Sequence, residues 1–228
     1  MSYEGIMPAT GPLTAVLGAS KVGVVLGNGS QIDSLTRCFW KKIQDPKFIT
    51  LGINRICCAT TPLVNGFAPD LHLVIDAPPD LEGPYYKAVS TGLRSITDKT
   101  WRLTSHEYNT DRWPHDQRLD RDKQYLGPTS AYHMRHSSAD AAINILYRIG
   151  VRDIVLYGVE FNGTTRCATV PKIDEQSPKT EHDGWYIPAI DAVKSQIANL
   201  PGLRVRCGCK TSRLVQDKVV EFGDVFEE

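Results

Sequence analysis

Val22-Gly-Val-Val-Leu26 runs directly into Gly27-Asn28-Gly29 and then into Ser30. A run that is apolar at successive positions suits a strand buried on both faces, as in a parallel sheet. From Ser30 to Gln44 the residues Ile32, Leu35, Phe39, Trp40 and Ile43 recur at helical spacing, and Ser30 stands where a helix cap belongs. The unit reads as strand, glycine turn, helix.

The same alternation continues along the chain. Lys47 to Ile53 is a second apolar run, ending at Asn54, and Leu71 to Ile75 is a third, ending at Asp76 before Pro78-Pro79. Lys99 to Thr104 is a fourth; between Pro79 and Lys99 no element is assigned. Residues 106–135 are polar and mixed in charge, and read as a long loop or lid insertion. Ser138 to Ile149 is the clearest helix, with Ala139, Ala142, Ile143, Leu146 and Ile149 on one face and Gly150 as its stop. Asp153 to Tyr157 is then a strand, ending at Gly158-Val-Glu-Phe161, and residues 162–182 read as an active-site loop. A helix from Trp185 to Leu200 and a last strand from Leu203 to Cys207 close the series. Strands alternating with helices imply one α/β domain over residues 1–228, with a mainly parallel sheet and helices on both faces.

Composition narrows the function classes. The 228 residues carry 26 Lys+Arg against 26 Asp+Glu, a formal charge of zero. That balance argues against a general nucleic-acid binder, which needs a basic surplus for phosphate contacts. No stretch is apolar enough to span a bilayer, and Met1 to Pro12 has neither the basic nor the apolar region of a signal peptide. The six cysteines form no CxxC pair, and reduced thiols in a cytoplasmic protein are expected. Cys207-Gly-Cys209 has no second half-site to complete a metal centre.

Ligands of open α/β sheets bind beyond the carboxyl ends of the strands. The residues there are Gly27, Asn28 and Gly29, then Asn54, Asp76, and Gly158 with Glu160. The glycines allow a backbone to approach a ligand closely, although Gly27-Asn28-Gly29 is neither GxGxxG nor a Walker loop. Asn54 can hydrogen-bond a base or ribose, and Asp76 can hold Mg²⁺ on a diphosphate or bind a ribose hydroxyl. His136, Ser137 and Ser138 open the strongest helix, where hydroxyls and free N–H groups favour an anion. The bland alternatives are a tight turn at the glycines and plain capping at the serines. His182 and Tyr186 flank the start of the last helix, and a histidine there can act as a general base.

Several of these segments together resemble a known group. Val24-Val-Leu-Gly-Asn-Gly-Ser30 and Phe48-Ile-Thr-Leu-Gly-Ile-Asn-Arg55 resemble the first and second strand motifs of the bacterial lipooligosaccharide sialyltransferases. The stretch from Ser137 to Phe161 has the form Ser-small-helix-Gly-x-x-x-Ile-x-Leu-x-Gly-acid-Phe, which also occurs in archaeal 6-hydroxymethylpterin pyrophosphokinase-like proteins. Pro69 to Asp76 resembles that pyrophosphokinase side. The resemblance covers about half the chain in four blocks. It implies a Rossmann-like nucleotide-binding fold and an enzyme of the transferase class. Asn28 and Asn54 would contact a nucleotide, and Ser137 and Ser138 would hold its phosphate or sugar. Gly158, Val159 and Glu160 would line the base pocket. The sialyltransferases place a histidine base before the last helix; Tyr186 stands in that register here, with His182 four residues earlier.

The leading expectation is a glycosyltransferase moving a sugar from a nucleotide sugar to an acceptor hydroxyl, with His182 as base and Tyr186 or the serine-capped helix steadying the leaving phosphate. The alternatives are a Mg-dependent pyrophosphokinase using Asp76 on a pterin-like hydroxymethyl compound, and a non-catalytic nucleotide-binding or phage accessory protein. The partner is in each case a small-molecule nucleotide. The size suits a phage-encoded protein of the host cytoplasm, and the acceptor is not specified.

Overall fold

The computed structural model describes residues 22–59, 65–75, 84–96, 100–104, 117–118, 137–162 and 183–226. Its frame is an eight-stranded sheet in the order β5-β4-β3-β2-β1-β6-β7-β8. The strands are β1 (Val22–Leu26), β2 (Phe48–Ile53), β3 (Leu71–Val74), β4 (Trp101–Thr104), β5 (Gln117–Arg118), β6 (Asp153–Tyr157), β7 (Arg204–Cys207) and β8 (Glu221–Phe222). Every neighbouring pair is parallel. The helices are α1 (Gln31–Ser34), α2 (Arg37–Lys42), α3 (Pro84–Ser95), α4 (Ser138–Arg148), α5 (Asp183–Asn199) and α6 (Arg213–Gln216), with a 3₁₀ turn at Asn54–Cys58.

Alternation along the strands builds the two cores. Val25, Ile49, Leu51, Ile154 and Leu156 point to one face, where α4, α5 and α6 bury Ala142, Ile143, Leu146, Val193 and Leu214 against them. Val24, Leu26, Val155 and Tyr157 point to the other face, against Ile32, Phe39 and Trp40. A fully buried aliphatic side chain contributes about 1.5–3 kcal/mol, so the central strands with both faces covered anchor the fold. This is the parallel sheet with helices on both faces that the apolar runs imply.

The structure departs from the sequence reading in four places. The segment from Ser30 to Gln44 is two helices, because Leu35 is extended (ψ 126) and Thr36 starts α2 afresh by accepting from the Phe39 N–H. The restart lets Ile32, Phe39 and Trp40 all reach one core. Ser30 does not cap with its side chain; its backbone is already helical. Within the supposed lid, Gln117–Arg118 forms an edge strand along Leu103 and Thr104. Helix α3 occupies the unassigned stretch, and α6 and β8 follow the strand read as last. The two-residue β5 and β8 and the four-residue α6 carry too few periodic residues to be seen in sequence.

Helix α4 starts with a reciprocal cap. The Ser137 hydroxyl accepts from the Asp140 N–H, and the Asp140 carboxylate accepts from the Ser137 N–H at 2.6 Å. No helix among the described residues is long and apolar enough to cross a membrane.

Candidate functional site

The site forms where the strand order reverses. From β1 the chain proceeds to β2 on one side, while β6 enters on the other. Beyond the last paired residues, Leu26 and Tyr157, the two strand ends close on one another. Gly27 N–H donates to the Tyr157 carbonyl and Gly29 N–H to the Gly158 carbonyl, both at 2.7 Å. A Cβ on Gly158 would lie 2.7 Å from the Gly27 oxygen, and Gly158 has φ +65. The two glycines are therefore required by each other, since no side chain fits between the backbones.

On this side the polar groups are satisfied within the protein. The Gln31 carboxamide accepts from the Gly158 N–H at 3.1 Å and donates to the Gly208 carbonyl. The Glu160 carboxylate accepts from the Gln31 N–H at 2.6 Å and from the Ser30 hydroxyl at 3.1 Å, at the start of α1. Val159 is buried, and its carbonyl accepts from the Ser212 hydroxyl at 2.9 Å. The Glu160 carbonyl accepts from the Arg213 N–H at 2.9 Å. Gly158, Val159 and Glu160 are thus held in a closed network. Gln31 and Ser212 supply it, and no motif in the sequence singles them out.

The β1–β2 side differs. Asn54 ends β2 in the left-handed region (φ 52), a conformation asparagine tolerates better than most residues. Its Nδ2 donates to the Ser138 hydroxyl at 2.9 Å, which joins the strand end to the start of α4. Its backbone carbonyl accepts from His72 Nε2 at 2.9 Å. The side-chain oxygens of Asn28 and Asn54 are both buried without a hydrogen-bond partner. Leaving an acceptor buried and unpaired costs about 1–3 kcal/mol, so such atoms mark places where a ligand or water completes the structure.

His72, in the middle of β3, supports this arrangement from below. It is fully buried, and burial pushes its pKa down to about 4, against the opposing effect of its bond to Asn54. At neutral pH it is an uncharged donor that fixes the Asn54 carbonyl. In sequence it is a lone histidine in an apolar strand, with no sign of this role.

Of the residues expected to do chemistry, Tyr186 lies in the first turns of α5, its ring 6.3 Å from that of Phe161, just past Glu160. His182, Asp76 and His136 lie outside the described residues, as do residues 163–182 and all of 106–135 except 117–118. The structure thus brings Gly27, Asn28, Gly29, Asn54, Ser137, Ser138, Gly158, Val159, Glu160 and Tyr186 to one end of the sheet. Among the described residues no group of three or more His, Cys, Asp or Glu could hold a metal ion. Cys207 and Cys209 are free thiols.

The chain shares its overall fold with solved glycosyltransferases. The chain is similar to the sialyltransferase CstII from Campylobacter jejuni, solved with the substrate analogue CMP-3FNeuAc: TM-score 0.53, 15% identity, over 90% of this chain and 86% of that one. It is also similar to the MAf glycosyltransferase from Magnetospirillum magneticum AMB-1: TM-score 0.50, 14% identity, over 83% of this chain and 32% of that one. At these identities the likeness is one of fold, and the fold is sialyltransferase-like. No protein-family model and no curated protein matches the chain in sequence. Neither of the two structures is a pyrophosphokinase.

Proposed function

We propose that this protein is a glycosyltransferase that moves a sugar from a nucleotide-activated donor to an acceptor hydroxyl. The observation that carries this reading is the pair of buried, unpartnered carboxamide oxygens, Asn28 Oδ1 and Asn54 Oδ1, at the ends of adjacent strands. Both are acceptors, so they call for a ligand with hydroxyl or amino donors, such as a ribose or a base. The start of α4 lies beside Asn54, and its dipole with the Ser138 hydroxyl suits a phosphate. The fold of a sialyltransferase solved with a CMP-sugar analogue supports the same choice of donor class.

In this reading the nucleotide lies across Asn28, Asn54 and Ser138, with the base towards Gly158, Val159 and Glu160. Ser137 positions α4 through its cap. The acceptor oxygen attacks the anomeric carbon as the bond to the nucleotide phosphate breaks. His182 takes the acceptor proton, and Tyr186 donates a hydrogen bond to the departing phosphate. Asp76 has no step here; a Mg²⁺ on that carboxylate belongs to the diphosphate-transfer alternative.

Calorimetric titration with CMP-, UDP-, GDP- and ADP-sugars, with and without Mg²⁺, followed by a turnover assay, tests this. We expect at least one donor to bind, and Asn54→Gly, which keeps the positive φ, to weaken it tenfold or more. Absence of binding by every donor, or binding unaffected in Asn54→Gly, overturns the reading. Diphosphate transfer from ATP that is abolished by EDTA replaces it with the pyrophosphokinase.

A further inference from the structure

The 3₁₀ turn that begins at Asn54 ends on two adjacent cysteines, Cys57 and Cys58, whose sulfurs stand 3.8 Å apart. Their surroundings are unequal. Cys57 is buried beneath α3, its Sγ 3.4 Å from the Asn54 carbonyl and 3.8 Å from that of Val89. Helix α3 comes this near because it carries Gly92 there; a Cβ would lie 2.7 Å from the Cys57 oxygen and 2.9 Å from its sulfur. Cys58 is only half-buried and carries the charge of Arg55 beside it.

We propose that Cys58 is a thiol-modification site of this chain, which accepts a low-molecular-weight disulfide of the glutathione class by exchange, with Cys57 and Arg55 as the groups that activate it.

Burial raises the Cys57 thiol well above the ordinary range, so it keeps its proton, which is shared between the Asn54 carbonyl at 3.4 Å and the Cys58 sulfur at 3.8 Å. The contact with the protonated Cys57 sulfur, with the Arg55 charge, lowers the Cys58 thiol, although partial burial works against them. The thiolate is the attacking species in exchange, so reaction concentrates at Cys58. The other described thiols lack this combination. Burial pushes Cys207 up to about 11, Cys209 is buried against Thr211, and Cys38 is exposed with no hydrogen-bond partner among the described residues.

In the step, the Cys58 thiolate attacks one sulfur of the disulfide. One S–S bond forms, the original one breaks, and the departing thiolate takes a proton from water. No net oxidant beyond the disulfide is consumed. Closure to a Cys57–Cys58 disulfide does not follow readily. Consecutive Cα atoms across a trans peptide stand about 3.8 Å apart, short of the roughly 4.4–6.8 Å that disulfides span. The product is therefore a mixed disulfide within one turn of Asn54. The inference does not depend on the identity of the ligand at that site.

The test incubates the full chain, in a Cys167→Ser background, with oxidised glutathione and follows intact mass and peptide maps. We expect one glutathionyl group on Cys58, added at least tenfold faster than at Cys38 and removed by dithiothreitol. Cys57→Ala should slow addition at least fivefold, while Cys57→Ser, which keeps an O–H donor, should retain most of the rate. Arg55→Gln should slow it independently if Cys57→Ala fails to fold. Equal rates at Cys38 and Cys58 would overturn the proposal. So would wild-type rates in both activation variants, or loss of two protons without adduct mass.

Discussion

The two sides of the β1 strand end carry similar residues and behave in opposite ways. Towards β6, the Gln31 carboxamide and the Glu160 carboxylate are fully engaged with backbone and hydroxyl partners, and the glycines interlock. Towards β2, two asparagines of the same chemistry leave their oxygens buried and unpaired. Polar residues at a sheet edge therefore fall into two kinds. Those the protein satisfies itself hold the frame; Asn28 and Asn54 each keep an unpaired acceptor, and in the proposed function these face the donor.

That division can be broken by experiment. The largest expected effect is on the closed side: Gly158→Ala forces a Cβ against the Gly27 carbonyl at positive φ and should destabilise the fold by about 3–5 kcal/mol in chemical denaturation. Next comes acid. The His72 imidazole takes its proton near pH 6.5 when unfolded and at about 4 when folded. Between those values the unfolded state binds more protons. Stability is full above about pH 6.5 and falls by about 3 kcal/mol as pH drops through 4. Urea midpoints across that window should show the slope, and His72→Gln, which keeps a donor for the Asn54 carbonyl, should remove it.

Gln31→Ala strands the Gly158 N–H and the Gly208 carbonyl, and should cost about 2 kcal/mol while changing donor affinity less than threefold. Asn28→Ala is the reverse: a stability change below about 0.5 kcal/mol, with affinity down about tenfold, since the lost oxygen has no partner in the protein. A large stability loss in Asn28→Ala, read by thermal and urea unfolding, would erase the distinction between the two sides.

The parallel sheet is legible in sequence because its central strands are continuously apolar and end on Gly-Asn-Gly, Asn and Gly-Val-Glu. The reading of Ser138 to Tyr157 holds almost to the residue, since a strongly periodic helix and a β-branched strand each leave a clear pattern. The break at Leu35 is not legible: Ile32 and Phe39 keep helical spacing although the backbone between them is extended. Local pattern cannot register which partner a side chain meets. Gln31 with Gly208, and His72 with Asn54, are long-range contacts between residues that look unremarkable where they stand in the chain.

The placement of β6 beside β1 also sets an order of events in biosynthesis. Ser30 and Glu160, which meet at the crevice, are separated by 130 residues. At about 5–20 residues per second, β1 must wait roughly 6–26 s after its own synthesis before β6 is made. During that interval its hydrogen-bonding edge opposite β2 is open, and the crevice cannot form because half of its wall does not yet exist. Slowing or stalling of translation between the two segments should therefore expose nascent chains to aggregation through β1, a vulnerability invisible in the finished fold.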